Sequence, residues 1–292
     1  MPIEMITEDS ESLSRAGFQW RARDGVRVLV GASLEAEGFA NGFSTRAGGC
    51  SPIPQGALNL AGFNEDDAAN IHENRRRFLK LFNGEWRLAT CWQVHGADVR
   101  VVCGETAGAL DTNEDRCDAL ATDAPNILVG VQTADCVPIL LGDARSGACA
   151  AVHAGWRGTA AEIVPAALAR MRAEYGTRAG DVLACIGPAA LDCCYEVGAE
   201  VIDIFRARFG YADELLVPTR AGHARIDLQR ANFRQLTAAG VSPARIHAAP
   251  LCTICRPDLF FSYRRDKKLY GRTGRLLAVI GKNDERGTMN DE

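Results

Sequence analysis

The chain has 292 residues, 47% of them hydrophobic, with 33 Lys and Arg against 37 Asp and Glu. That is enough apolar material for one large core, and the near balance of charge argues against nucleic acid or an anionic membrane as a partner. No apolar run approaches the roughly 20 residues that cross a bilayer, and the N-terminal stretch is acidic and polar rather than basic and then apolar, which predicts a cytoplasmic protein acting on a small molecule.

Apolar periodicity then gives the elements in chain order. A polar N-terminal extension over residues 1–15, read as frayed, precedes a single catalytic domain over 16–282, and a polar tail follows over 283–292. The run Val26 to Val30 reads as a strand, and Asp66 to Phe82 as an amphipathic helix. Three more strands are expected at Ile127 to Val131, Val137 to Leu141 and Cys149 to His153, each bounded by Gly, Asp or Pro. Helical spacing returns at Thr159 to Tyr175, Val197 to Phe209 and Leu228 to Ala239. Strands come in runs and helices are scattered, so the expected class is α+β, a single domain of mixed β-sheets with flanking helices. No phosphate-binding loop or dinucleotide glycine fingerprint is present, which leaves ATP and NAD without support.

Eleven cysteines and five histidines carry the chemical signal. His95 in Cys-Trp-Gln-Val-His-Gly and His153 in Ala-Val-His-Ala-Gly-Trp-Arg-Gly both end apolar runs, where the backbone turns away and a pocket can open. Cys136, in Thr-Ala-Asp-Cys-Val-Pro-Ile, has the same setting just before a strand. Imidazole and thiolate suit borderline-soft ions such as zinc or copper, and three protein ligands leave a fourth position open for water or substrate. Without metal, the same three residues suit a Cys nucleophile with a His base. Judged singly, each is also an ordinary strand-end residue, and their spacing matches no metal-binding pattern.

Gly155 and Gly158 flank Trp156 and Arg157 just before the helix expected from Thr159, so Arg157 is a candidate for binding phosphate or substrate. Arg46, in Gly-Phe-Ser-Thr-Arg-Ala-Gly-Gly, is a second; either is equally a surface ion-pair residue. Trp156 is suited to stacking on a purine or to the core. Two further cysteine pairs, Cys193 with Cys194 and Cys252 with Cys255, each lack a matching pair, so packing or loop roles are expected of them, as buried-thiol roles are of most other cysteines. His72, His223 and His247 receive no role.

Taken together, Gly-Phe-Ser-Thr-Arg-Ala-Gly-Gly, Gln-Val-His-Gly, Thr-Ala-Asp-Cys-Val-Pro-Ile, Val-His-Ala-Gly-Trp-Arg-Gly-Thr, Ile-Gly-Pro, Cys-Cys-Tyr-Glu-Val-Gly and Phe-Ser-Tyr-Arg-Arg-Asp resemble the YfiH-like family. Its members have been called laccase-domain or multicopper polyphenol oxidase proteins, purine nucleoside phosphorylases and peptidoglycan editing factors. The match runs in order from about Gly42 to Ile280. The resemblance implies a YfiH-like, cytotoxic necrotizing factor-like α+β fold, and a metal site whose ligands and catalytic residues fall on His95, Cys136 and His153. Zinc is the implied ion, with copper as the alternative. The implied activity is phosphorolysis of adenosine, inosine and methylthioadenosine to free base and pentose 1-phosphate, with accessory deamination of adenosine. A purine nucleoside and phosphate would be the partners, with no nucleic acid, membrane or protein partner.

Competing readings are an amidase that edits cell-wall precursors and a copper-dependent polyphenol oxidase, the latter short of histidines for a multicopper cluster. No unambiguous general acid stands out; Asp135 is the nearest candidate for that role.

Overall fold

The computed structural model describes residues 10–52, 54–62, 66–104 and 116–283. Two six-stranded sheets stack face to face and helices cover their outer sides. The first sheet has the order β1(Phe18–Arg23), β2(Val26–Gly31), β3(Phe39–Ser44), β17(Leu276–Lys282), β9(Ile127–Thr133) and β6(Arg87–Ala89). The second runs β16(Ile246–Ala248), β12(Val182–Ile186), β10(Val137–Asp143), β11(Cys149–Ala154), β8(Ala119–Thr122) and β7(Val99–Val101). A small hairpin, β4(Ser51–Pro52) and β5(Gln55–Ala57), and a three-stranded sheet of β13(Glu196–Gly198), β15(His223–Ile226) and β14(Leu216–Pro218) complete the strands. Each large sheet is antiparallel except at its edges, where β6, β7 and β16 join in parallel. The mixed-sheet α+β expectation is therefore met.

The period-two alternation of strand side chains explains why the central strands read as continuous apolar runs, being buried on both faces. On β10, Leu140 points between the sheets with Leu29, Phe43, Val129 and Ala278. Its neighbours Ile139 and Leu141 face the other way, onto Ile163, Leu168 and Met171 of the helix Ile163–Tyr175 and Phe205 of the helix Ala199–Arg208. A third cluster packs Val28, Val30, Leu277 and Val279 of the first sheet against Phe78 of the helix Ala68–Leu79.

All four predicted strands and the four helical regions are found, with adjusted ends. The stretch expected as one helix from Thr159 is two, Trp156–Ala160 and Ile163–Tyr175, because Glu162 adopts a left-handed φ of 61° that breaks the hydrogen-bond ladder. Arg157 thus lies inside the first short helix instead of preceding it. Residues 10–15 are helical and Leu13 is buried, whereas the rest of the extension and the tail after Asn283 lie outside the described residues. Among the described residues no helix is long and apolar enough to cross a membrane.

The strand register is what assembles a site. Pro138 pairs with His153 between β10 and β11, and Val152 pairs with Ala119 between β11 and β8. Cys136, His153 and Asp118 consequently lie side by side at one end of the second sheet, far from the turn that joins β10 to β11. Only residues 134–136 separate β9 of the first sheet from β10 of the second, so the chain crosses between sheets at this same point.

Because Leu140 is fully buried between the sheets, Leu140→Ala should cost about 2–5 kcal/mol. Urea unfolding checks this; a loss under about 1 kcal/mol would contradict a tightly packed inter-sheet core.

Candidate metal centre and active site

Asp118 organises the centre. Its fully buried carboxylate accepts the backbone N–H of His95 at 2.9 Å, of Gly96 at 2.7 Å and of Val94 at 3.2 Å. It also bonds to His153 Nδ1 at 2.8 Å, while the Asp118 carbonyl accepts the His153 backbone N–H at 2.8 Å. With Nδ1 committed to the carboxylate, His153 offers Nε2 to a ligand, the arrangement by which carboxylates orient metal-binding imidazoles. The three N–H donations hold residues 94–96 in a tight loop in which His95 takes a left-handed φ of 62°. Gln93 fastens that loop to β9, its amide side chain bonding the Gln132 carbonyl and N–H at 2.7 Å each, as an added strand rung would.

Asp135 performs a comparable service on the other side. It holds a left-handed φ of 91°, a conformation costing about 1–3 kcal/mol for a non-glycine residue. Its carboxylate accepts hydrogen bonds from Thr253 Oγ1 at 2.7 Å, Ser262 Oγ at 3.0 Å and the Arg264 N–H at 2.8 Å. Both oxygens are thus engaged. Asp135 works as a buried brace for the inter-sheet loop, and burial raises its carboxyl above the usual carboxylate range despite these bonds.

Between the two carboxylates, the ligand atoms of His95, Cys136 and His153 lie within 4.8 Å of one another. The His95 and His153 rings meet edge to face with centroids 4.9 Å apart, and Cys136 Sγ is 4.0 Å from His95 Nε2. A tetrahedral zinc with ordinary Zn–S and Zn–N bonds sets sulfur and nitrogen about 3.6 Å apart, so the Cys136–His95 pair is within a few tenths of an ångström of ligand spacing. Gly155 is required beside it: a Cβ there would sit 2.9 Å from Cys136 Sγ.

Electrostatics favour the ligand form of the thiol. Burial pushes Cys136 up, but the charge of His153 and hydrogen bonds to His153 and His95 outweigh it and hold the thiol at about 6. Burial pushes His153 down, and Cys136 and Asp118 together raise it above its ordinary value. Asp118 itself, despite burial, is held below the usual carboxylate range by His153 and the Gly96 and His95 N–H groups.

The trio lies on the wall of a cavity of about 570 Å³. Arg157, Arg264 and Arg275 also line it. Two of these arginines stack on aromatic rings at the same wall, Arg157 over Trp156 at 4.1 Å and Arg264 over Tyr195 at 4.6 Å. Trp156 is packed against the core on its other side, so the alternatives of core and pocket residue are combined. Arg46 is not among the lining residues; its guanidinium lies 5.8 Å from the Phe261 ring centroid, with its backbone bonded to Leu259 and Leu58.

Sequence reasoning missed Asp118 and Arg275, and it noted Arg264 only as part of a motif. Nothing in the local sequence singles out Asp118, because neither its burial nor its pairing with His153 can be read along the chain. The two cysteine pairs, each without a matching pair in sequence, are brought together by the fold: the sulfurs of Cys193, Cys194, Cys252 and Cys255 lie within 4.8 Å of one another. Of the described residues, no further group of three His, Cys, Asp or Glu has metal-holding geometry.

Replacing Asp118 by Asn keeps one acceptor but removes the charge that orients His153. Metal affinity should fall about 10- to 100-fold, read by competition with a chromophoric chelator, with far-ultraviolet circular dichroism unchanged. Unaltered affinity would show that Asp118 does not orient the ligand.

Residues 40–283 match the family model described as multi-copper polyphenol oxidoreductase laccase. The chain is 37% identical to a purine nucleoside phosphorylase YlmD of Geobacillus stearothermophilus over 281 residues, covering 92% of this chain and 98% of that one. It is 37% identical to an adenosine deaminase RL5 from an unknown prokaryotic organism, covering 74% of this chain and 84% of the relative. The crystal structure of Bacillus licheniformis hypothetical protein YfiH superposes with a TM-score of 0.83 at 29% identity, over 90% of this chain and 99% of that chain. That agreement in sequence, extent and fold means that the chain belongs to the multi-copper polyphenol oxidoreductase laccase family, the YfiH-like family its motifs resemble.

Proposed function

We propose that this protein is a purine nucleoside phosphorylase with accessory adenosine deaminase activity, working at His95, Cys136 and His153. The observation that carries the reading is the single cavity of about 570 Å³ that combines this trio with three arginines and aromatic walls. Its size suits a nucleoside with phosphate, since small-molecule sites run from about 300 to 1,000 Å³. The names of the relatives, phosphorylase and deaminase, support the same choice.

The residues present fit a zinc ion, with His95, Cys136 and His153 as the protein ligands. Zinc bound there supplies Lewis acidity and lowers the pKa of a water toward neutrality. The remaining work belongs to the chain itself. Arg157, already stacked on Trp156, and Arg264, stacked on Tyr195, present guanidinium groups to a phosphate, for which their forked donors are suited. Arg275 adds a third cation to the lining. Exposed faces of Trp92 and Tyr263 offer apolar surface for a purine.

In phosphorolysis an oxygen of hydrogen phosphate bonds to the anomeric carbon as the glycosidic C–N bond breaks, and the departing purine takes the electron pair of that bond and, in net balance, the proton the phosphate gives up. The arginines hold the phosphate and balance its charge beside the sugar, so that binding energy goes into orientation. In deamination a water oxygen adds to the purine carbon bearing the amine, and the C–N bond breaks with its electron pair going to nitrogen; one proton of the water leaves with the ammonia and the other ends on the adjacent ring nitrogen. Asp118, acting through His153, and Asp135, acting through the loop that bears Cys136, keep the trio in place for both.

Five histidines, of which three lie outside the trio and in no other cluster, make a multicopper oxidase chemically unsuited to this chain.

With inosine and phosphate, the purified protein should release hypoxanthine and ribose 1-phosphate in equal amounts, and with adenosine alone it should form inosine. Cys136→Ala and His153→Ala should each lower kcat at least about 100-fold. Arg157→Ala should chiefly raise KM for phosphate. Full activity in both trio variants, or base release that ignores phosphate, would sink the proposal.

A further inference from the structure

Away from the cavity floor, two loops distant in sequence bring four thiols together. Cys193 and Cys194 lie in the turn leading to β13, and Cys252 and Cys255 in the turn that follows β16. All four are free cysteines. Cys255 Sγ is 3.6 Å from Cys193 Sγ and 3.2 Å from Cys194 Sγ, and all four sulfurs lie within 4.8 Å of one another. In a tetrahedral zinc tetrathiolate with Zn–S bonds of about 2.3 Å, sulfurs are about 3.8 Å apart, and the two closest approaches to Cys255 fall a few tenths of an ångström inside that value.

The two loops are joined directly, with Ala189 bridged to Cys252 and the Thr253 N–H bonded to the Ala189 carbonyl at 2.9 Å. The cradle is therefore held by the fold before any ion arrives.

We propose that Cys193, Cys194, Cys252 and Cys255 form a second metal site, a closed tetrathiolate for a zinc-type divalent cation. Four protein ligands leave no open position, so its role is structural. What it secures is the cavity's outer wall. Tyr195 follows Cys194 directly and lines the cavity, with Arg264 stacked upon it. Thr253, next to Cys252, bonds Asp135, and Arg265 donates to the carbonyls of Thr253 and Ile254 between the two cysteines. The ion would tie these pieces to one point, independently of what reaction the cavity performs.

Metal uptake by the full chain tests this without reference to catalysis. Protein prepared under reducing, oxygen-free conditions and stripped with chelator is titrated with Co(II), whose thiolate charge-transfer absorption grows with the number of sulfur ligands. The wild type should take up two equivalents, one with the intense tetrathiolate spectrum. His153→Ala with Cys136→Ala should take up one and keep that spectrum; Cys193→Ser with Cys255→Ser should take up one and lose it. The trio variant decides the matter even if the cysteine variant does not fold. Metal uptake by the wild type without the tetrathiolate absorption, no tetrathiolate absorption in the trio variant, or mass-spectrometric detection of a disulfide within the four in oxygen-free wild type would overturn the proposal.

Discussion

The site depends on one buried carboxylate. Removing an anion from water is costly unless its oxygens find strong donors, and Asp118 finds four: the N–H groups of Val94, His95 and Gly96 and the imidazole of His153. The same bonds that make the charge tolerable fix two histidines from separate segments in relative position. His153 arrives on a central strand, whose place is set by its neighbours; His95 arrives on a loop with no ladder of its own and is held by Asp118 through the backbone. Asp118 is thus the connection between the rigid part of the site and the part that would otherwise drift.

Asp135 extends the logic to the thiol. Its left-handed backbone is the means by which three residues carry the chain from the first sheet to the second, and that backbone puts Cys136 at the cavity wall. Thr253, Ser262 and the Arg264 N–H, all from the C-terminal third of the chain, compensate its charge. Ser262 also caps the helix Tyr263–Tyr270 by accepting from the Arg265 N–H, so the brace and the start of that helix are one structure. Arg264 is delivered to the cavity from its first turn. Strain at a functional loop is here balanced by a neighbouring element that itself supplies a functional side chain.

A formal net charge of −4 coexists with a cavity lined by three arginines. The overall balance described the whole surface and said nothing about a local concentration of cations. Stacking on Trp156 and Tyr195 holds two of those guanidinium groups without neutralising them, since an aromatic face attracts a cation without cancelling its charge, and Arg264 is further fixed by donating from Nη1 to the Glu196 carbonyl.

Local pattern determined much of the chain's organisation. Val137 to Leu141 and Cys149 to His153 read as strands because both faces of a central strand are apolar, and the motifs around His95, Cys136 and His153 pointed to those three as a set. Element ends were less legible, since the break at Glu162 depends on a single left-handed residue that no periodicity announces. Asp118 was invisible because an acid becomes a structural anion only when the register of β8 against β11 sets it beside His153. Arg46 and Arg157 looked alike on glycine-rich turns, and only packing sent one over Phe261 and the other to the cavity. The four cysteines are the clearest case: each pair was half of a site, and the other half lay some sixty residues away. Sequence spacing records neighbours along the chain, whereas ligand sets and cavities are made by neighbours across it, and those are decided when sheets pair and loops cross.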